Sequence, residues 1–416
     1  MQTITLNLRH KNHGITRMST PANRYTVLST YPGHRSSANV GDHLIAVALE
    51  KLVRREKGDV EFLTIFREDS LDDHIDEINR TAAILLPAFP IRDGIPLYPG
   101  CYRLTEDIDQ IKVPMVPVGA NWNVYPGDAF SRKTTQYSRE TSRFLHRIAS
   151  GISQFSCREY FLMDVLKQHG IENTVMTGDP SWYDPEFFGV PLHRPHRVET
   201  LVFSPPLSAF YGDLAVQCLD LLKDMFPDAT RYCAFHLTDP ASSPFDDKSS
   251  TNDASMRSDV ASKNALIRAH ATASGYEILE MAGDSEKLNF YRGCDLHVGF
   301  ECHAHLSFIR QRRPSVLIAE DARGVGFNYT LGVGGFNGFV RSSNTKVDPP
   351  REGGTSGYCV TQEEWKVAPA SNDLVQELRS YLDDELQSGF RRYLGLADRI
   401  EETYEKVMAP FLRSLP

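Results

Sequence analysis

The sequence predicts an α/β protein made of two Rossmann-like domains that face one cleft. Three observations lead there. Strand-like runs alternate with helix-length segments through the first half, the pattern of a parallel sheet covered on both faces. A proline- and histidine-bearing stretch, Phe187 to Glu199, interrupts that pattern, and the alternation then restarts. The 416 residues also suffice for two domains, at roughly 100–200 residues each.

RYTVLSTY (Arg24–Tyr31) is β-branched and aromatic, as a buried strand requires, and it runs into the loop PGHRSSANVGD. LIAVALEKLVRRE (Leu44–Glu56) places its apolar residues at helical spacing. DVEFLTIF, TAAILLPAF and VPMVPVGAN read as strands, SRETSRFLHRIASG as a helix and SQFSCRE as a short strand. EYFLMDVLKQHG is a helix stopped by Gly170, since glycine readily takes the left-handed conformation found at helix ends. NTVMTGDPSWYDP, from Asn173, closes the first half.

Beyond the linker, ETLVFSPPL is a strand, DLAVQCLDLLKDMF a helix and RYCAFHL a strand. The polar run His236–Asp259 reads as a long inserted loop, a length at which loops often act as lids. A helix over Val260–Ser274, the strand YEILEMA and a helix over Asp284–Arg292 follow. The strand DLHVGF, a helix from about His303 and the strand PSVLIAED complete the unit. The charged, periodic segment Asp373–Leu415 is expected to form helices that pack back across the domains. The expected division is an extension at 1–23, domains at 24–186 and 200–370 joined by 187–199, and C-terminal helices at 371–416.

Composition narrows the function. Apolar residues make up 41% and charged residues 24%, ordinary for a soluble globular protein. A net charge of −9 argues against a nucleic-acid binder, which carries a basic face, yet leaves room for a local basic pocket. No apolar run approaches the ~20 residues that span a bilayer. The first 23 residues lack the apolar core of a secretory signal, so they read as a mobile extension. The seven cysteines are scattered without CxxC spacing, which favours neither a disulfide framework nor structural zinc and fits a reducing cytoplasm. Peripheral membrane contact and a homo-oligomer stay open.

In open α/β sheets ligands bind beyond the carboxyl ends of the strands, so those loops hold the candidate residues. NVGDHLIAVALEKL, from Asn39, is a strand-loop-helix junction. Gly41 permits close backbone approach, Asp42 is placed to cap the first turn, and exposed amides there can hold an anion. An ordinary capped helix explains the same four residues. Arg158 ends the strand SQFSCRE, where its guanidinium can grip a carboxylate or phosphate, or else pair with Glu159 or Glu140. Asp179, with Pro180, ends the next strand near the cleft.

GFECHAHLSFIRQRRPSVLIAEDARG, from Gly299 to Gly324, carries the densest chemistry. A histidine where strand meets helix can point into the cleft, making His303 a general acid/base or a phosphate contact, with the helix N-terminus adding positive potential; an ordinary structural helix start is the alternative. His305 lies two residues on, a spacing that a helix sends elsewhere. No metal site is expected, because Cys302, His303 and His305 would need ligands from other segments. Arg323 falls at a further strand end as another cationic grip, while Arg310, Arg312 and Arg313 read as the solvated end of the helix.

These stretches, in this order, resemble the polysaccharide pyruvyl transferase family over about Arg24 to Val333. An N-x-GD motif opening the first helix is matched by Asn39, Gly41 and Asp42. An S-x-R-(D/E) strand end and a later DP element are matched by Arg158, Glu159, Asp179 and Pro180. The motif D-x-x-(I/V)-G-x-R-x-H, then a P-x-(I/V) strand and a lysine, correspond to Asp295, Val298, Gly299, Glu301, His303, Pro314 and Arg323. The resemblance implies a GT-B-like fold with its site between the domains. It implies transfer of the enolpyruvyl carbons of phosphoenolpyruvate, as co-substrate and with no further cofactor, onto paired hydroxyls of a carbohydrate or glycan precursor. Arg158 and His303 become ligands of the donor's phosphate and carboxylate, and Arg323 takes the lysine's cationic role.

One position departs from the pattern. Glu301 stands where the family has arginine, reversing the charge beside an anionic donor. Another arginine then covers the donor, or the donor differs. Glu301 itself becomes a candidate base or a grip for a sugar hydroxyl, and Asp179 and His305 are set down as acceptor-side or cleft residues. The alternatives are a GT-B-like glycosyltransferase using a nucleotide sugar and a non-catalytic member that binds a glycan or partner.

Overall fold

A computed structural model describes residues 23–31, 38–92, 96–237, 254–345, 366–370 and 372–416. The expected N-terminal extension and most of the 236–259 loop lie outside the described residues. The last part of that loop is helical, because the helix expected from Val260 runs over Ala254–Ala273.

The chain is α/β with two parallel sheets. The first has the order Glu61–Phe66, Arg24–Ser29, Ile84–Pro87, Met115–Val118. The short strand Phe155–Cys157, paired with Thr174–Met176, joins its edge through a bridge between Ala120 and Cys157. The second sheet has the order Glu277–Glu280, Thr230–Phe235, Thr200–Ser204, Leu296–Gly299, Ser315–Ala319, Phe336–Asn337. Most of the central strands are buried along their whole length, which is why they appear in the sequence as near-continuous apolar runs. The strand Phe336–Asn337 is too short to leave such a trace.

The two units pack into one core. Tyr25, Val27 and Leu49 of the first share a cluster with Leu201, Phe203 and Val298 of the second. The helix Val40–Lys57 bridges them. Its Val40 and Leu44 pack on Val202, Ala234 and Phe308, and the Val40 N–H donates to the His236 carbonyl at 3.2 Å. The N-terminus of a first-domain helix thus rests on the carboxyl ends of second-domain strands.

The domains approach so closely that side chains are excluded at Gly127 and Gly326, among other places. A Cβ on Gly127 would lie 2.1 Å from the Ala322 Cα, and one on Gly326 would lie 2.6 Å from the Glu159 Cγ. Arg341 forks onto the Asp128 carboxylate across the same boundary. Of the last helices, Asn372–Ser388 packs on the second-domain helix Gly212–Met225, and the chain end through Leu396–Thr403 and Ala409–Arg413 returns to the first domain. There Tyr404 Oη and Arg413 Nε donate to Glu56 at 2.6 and 2.8 Å.

The basic run after Ile309 corrects the sequence reading. Arg310 and Arg312 are not at a solvated helix end. Arg310 Nη2 donates to the buried Asp184 at 2.6 Å, and Arg312, only 2% exposed, donates to Glu401 at 2.7 Å. The cause is a left-handed backbone at Arg312, φ 62°, which ends the helix and turns the side chain inward.

Candidate active site between the two sheets

The site is built where the first helix begins. The Asn39 side chain, not Asp42, caps this helix by accepting the Gly41 N–H at 2.9 Å. Asp42 is thereby free to face the cleft. Gly41 is required by close approach: a Cβ there would fall 2.0 Å from His303 Nδ1 and 2.2 Å from Cγ. The imidazole of the second domain therefore lies against the first turn of the first domain's helix.

His303 and Glu301 come from the strand-to-helix corner after Leu296–Gly299. Gly299 fits there because a Cβ would strike the Ser204 backbone and hydroxyl at 2.4 Å. The Glu301 N–H donates to Ser204 Oγ at 3.1 Å. The Glu301 side chain caps the helix Cys302–Arg310 by accepting the His303 N–H at 3.3 Å, and its carboxylate lies 3.8 Å from His303 Nδ1. Burial pushes Glu301 up to about 7, with Arg323 opposing and Asp42 and Asp321 adding to the rise. Burial first, then the charges of Arg158 and Arg323, push His303 down to about 3. His303 Nε2 is buried and has no hydrogen-bond partner among the described residues.

A second corner brings in Arg158. Its Nη1 donates to Asp179 at 2.9 Å, its Nε lies 3.7 Å from Glu159, and its guanidinium stacks 4.5 Å from the Phe327 ring centroid. Nε and Nη2 lack hydrogen-bond partners among the described residues. Glu159 accepts the Trp122 N–H at 2.8 Å. Burial raises it to about 7, against the pull of Arg158 and the Trp122 N–H. Asp179 is fully buried and also accepts the Ser181 amide and hydroxyl at 2.9 and 2.6 Å. It anchors Arg158 and does not line the cleft.

Arg323 forks onto Asp321, the cap of its own helix, with Nε 3.1 and 3.0 Å from the two carboxylate oxygens. Its charge also acts on Asp42, Glu301 and His303. Asp42 is raised by its enclosure, against the pull of Arg67, Arg323 and Arg92. Asn39, Gly41, Asp42, Arg158, Glu301, His303 and Arg323 therefore gather in one place. His305 does not: it is fully buried, with Nδ1 bonded to Ser315 Oγ at 2.7 Å. The helix turns it into the core.

Sequence reasoning missed Arg67, Arg92 and Asp321. Arg67 directly follows the strand Glu61–Phe66, and Arg92 follows Pro90–Ile91. Both thus stand at the carboxyl ends where ligands were expected, but outside any motif.

The family model for polysaccharide pyruvyl transferases matches residues 39–322, more than half of the chain, and contains all the gathered residues except Arg323. The chain belongs to this family. No curated protein matches it. Among solved structures it is similar to HepE (Alr3699) of Anabaena in complex with UDP and glucose. That match has 11% identity and a TM-score of 0.45, covering 95% of this chain and 100% of the other. MnaA of S. aureus with UDP gives 12% identity and a TM-score of 0.45, covering 95% and 99%. The UDP-GlcNAc 2-epimerase of Neisseria meningitidis bound to UDP-GlcNAc gives 9% and 0.44, covering 92% and 99%. No helix among the described residues is long and apolar enough to cross a membrane.

Proposed function

We propose that this chain transfers the pyruvyl carbons of phosphoenolpyruvate to two hydroxyls of a carbohydrate acceptor, forming a ketal and releasing phosphate. The family points to a carbohydrate-modifying transferase. The observation that carries the finer reading is the pairing of a buried carboxyl raised to about 7 with a neutral histidine whose Nε2 is unpartnered among the described residues. Two groups pushed in opposite directions are what a reaction needs when it adds a proton at one carbon and removes protons from two hydroxyls.

In this reading Glu301, largely protonated below about 7, gives its proton to the donor's methylene carbon, making the neighbouring carbon electrophilic. One acceptor hydroxyl adds to that carbon, the bond to the phosphate oxygen breaks, and the second hydroxyl closes the ketal. Of the two hydroxyl protons, one restores Glu301; His303 takes the other on Nε2 and passes it to the departing phosphate. Arg158 and Arg323 suppress the basicity of His303. A bound anion offsets those charges, so His303 becomes a better base once the donor is present, while Glu301 holds its proton more firmly. Both changes favour the reaction.

The test is phosphate release from phosphoenolpyruvate with a glycan bearing paired hydroxyls. Release is expected, and H303A should lower turnover by about 10²–10⁴-fold. Unchanged turnover in H303A would remove the role given to that residue. Thermal stabilisation by nucleotide sugars and none by phosphoenolpyruvate would overturn the reaction.

A further inference from the structure

Glu301 removes a cation from the place where the family pattern has an arginine, yet the cleft is not short of cations. Arg67 and Arg92 enter it from the first domain. The Arg67 amide donates to the Ser29 carbonyl at 3.0 Å, continuing the parallel ladder past the strand end and fixing its base at the mouth of the cleft. Its guanidinium lies 5.9 Å from the Tyr102 ring centroid, and Glu68 is 3.5 Å away on one nitrogen. The Nε atoms of Arg67 and Arg92 are both buried without a hydrogen-bond partner among the described residues. Both charges act on Asp42, as Arg323 does, and Asp42 in turn acts on Glu301, while Gly41 beside Asp42 lies against His303.

Enclosed guanidinium nitrogens without acceptors cost stability unless a ligand supplies the acceptors. The arrangement is also the right shape for one. Arginine presents a planar fork that matches carboxylate and phosphate oxygens. Two forks at the ends of two first-domain strands, one in the four-stranded sheet and one in the pair Pro90–Ile91 with Asn121–Trp122, give an anion partners on the first-domain side, across from His303 and Glu301.

We infer that Arg67 and Arg92 form the anion grip of this site, taking a small phosphorylated carboxylic acid from the side opposite Glu301 and replacing the arginine that Glu301 displaces. The inference rests on the proposed function for the identity of the ligand, though not for its charge. Moving the grip across the cleft leaves position 301 free to carry a proton, which an arginine there cannot do. Charge for binding and proton for chemistry are then supplied by different domains.

Calorimetric titration of the full chain with phosphoenolpyruvate, and separately with inorganic pyrophosphate, tests this in the parent, in R67Q/R92Q and in R67Q/R92Q/E301R. The parent should bind phosphoenolpyruvate, the double variant should bind it about 10- to 100-fold more weakly, and E301R should recover much of the loss. Parent-like binding by the double variant would overturn the inference and leave the proposed reaction standing. Arginine-dependent binding of pyrophosphate with none of phosphoenolpyruvate would uphold the grip and overturn the reaction. Binding of neither anion by the parent would overturn both, and failure of E301R to recover binding would refute the exchange of arginine positions. If R67Q does not fold, R92Q alone and R67K carry the same comparison, since lysine keeps the charge but loses the fork.

Discussion

His303 and His305 lie two residues apart on the same short helix, and both are held neutral, pushed down to about 3. The causes differ. His305 is lowered by burial alone, inside a layer where its Nδ1 meets Ser315 Oγ, which also meets His297 Nδ1, both at 2.7 Å. His297 Nε2 in turn bonds Ser204 Oγ at 2.8 Å, and that hydroxyl receives the Glu301 N–H. His303 is lowered by burial and also by two arginine charges, and it faces the other domain. A suppressed basicity therefore does not identify a functional histidine. What separates the two is whether the suppression can be relieved: a bound anion can cancel the arginines, and nothing can hydrate the core.

Gly41 gives the strongest way to break this contrast. In G41A the new methyl would overlap the His303 ring, and neither the helix backbone nor an enclosed imidazole yields cheaply. Turnover should fall by about 100-fold, since small displacements of a positioned group have effects of that order. Far-ultraviolet circular dichroism should remain native. Parent-like turnover would mean that His303 need not lie against this turn.

H305A should show the opposite pattern. It opens a cavity and strips a hydrogen bond from the buried Ser315 layer, costing roughly 2–4 kcal/mol in a denaturant titration. Turnover per folded molecule should stay within about threefold of the parent. A turnover loss as large as that of H303A, with stability unchanged, would erase the distinction between the two histidines.

Much of this was legible in the sequence, and the reasons are physical. Buried parallel strands such as Ile84–Pro87 and Ser315–Ala319 are uninterrupted apolar runs, so the alternation is visible by inspection. The corners SCRE and GFECHAH stood out because polar residues directly after such runs mark strand ends. Two residues along a helix is about 200° of rotation, so one of the two histidines had to leave the cleft. Other features depend on tertiary contacts that no local pattern encodes. The docking of Val40 and Leu44 on the second sheet is one, and the inward turn of Arg312 through a left-handed residue is another. Asn39 displaced Asp42 as the cap because the helix starts at Val40, earlier than the apolar spacing alone implied. Arg67 and Arg92 escaped notice for want of a motif, although their places at strand ends qualified them equally.

The central claim is that Glu301 carries the reactive proton while His303 stays neutral in the free site. The pH dependence of turnover with saturating phosphoenolpyruvate and acceptor tests it most directly, in the parent and in E301Q. A carboxyl whose acid form reacts gives full turnover below its pKa and loses it as pH rises. The parent should therefore fall about tenfold per pH unit above a point at or somewhat beyond 7, while E301Q should be slow at every pH and lack that alkaline limb. An alkaline limb of the same position and slope in E301Q would contradict the account.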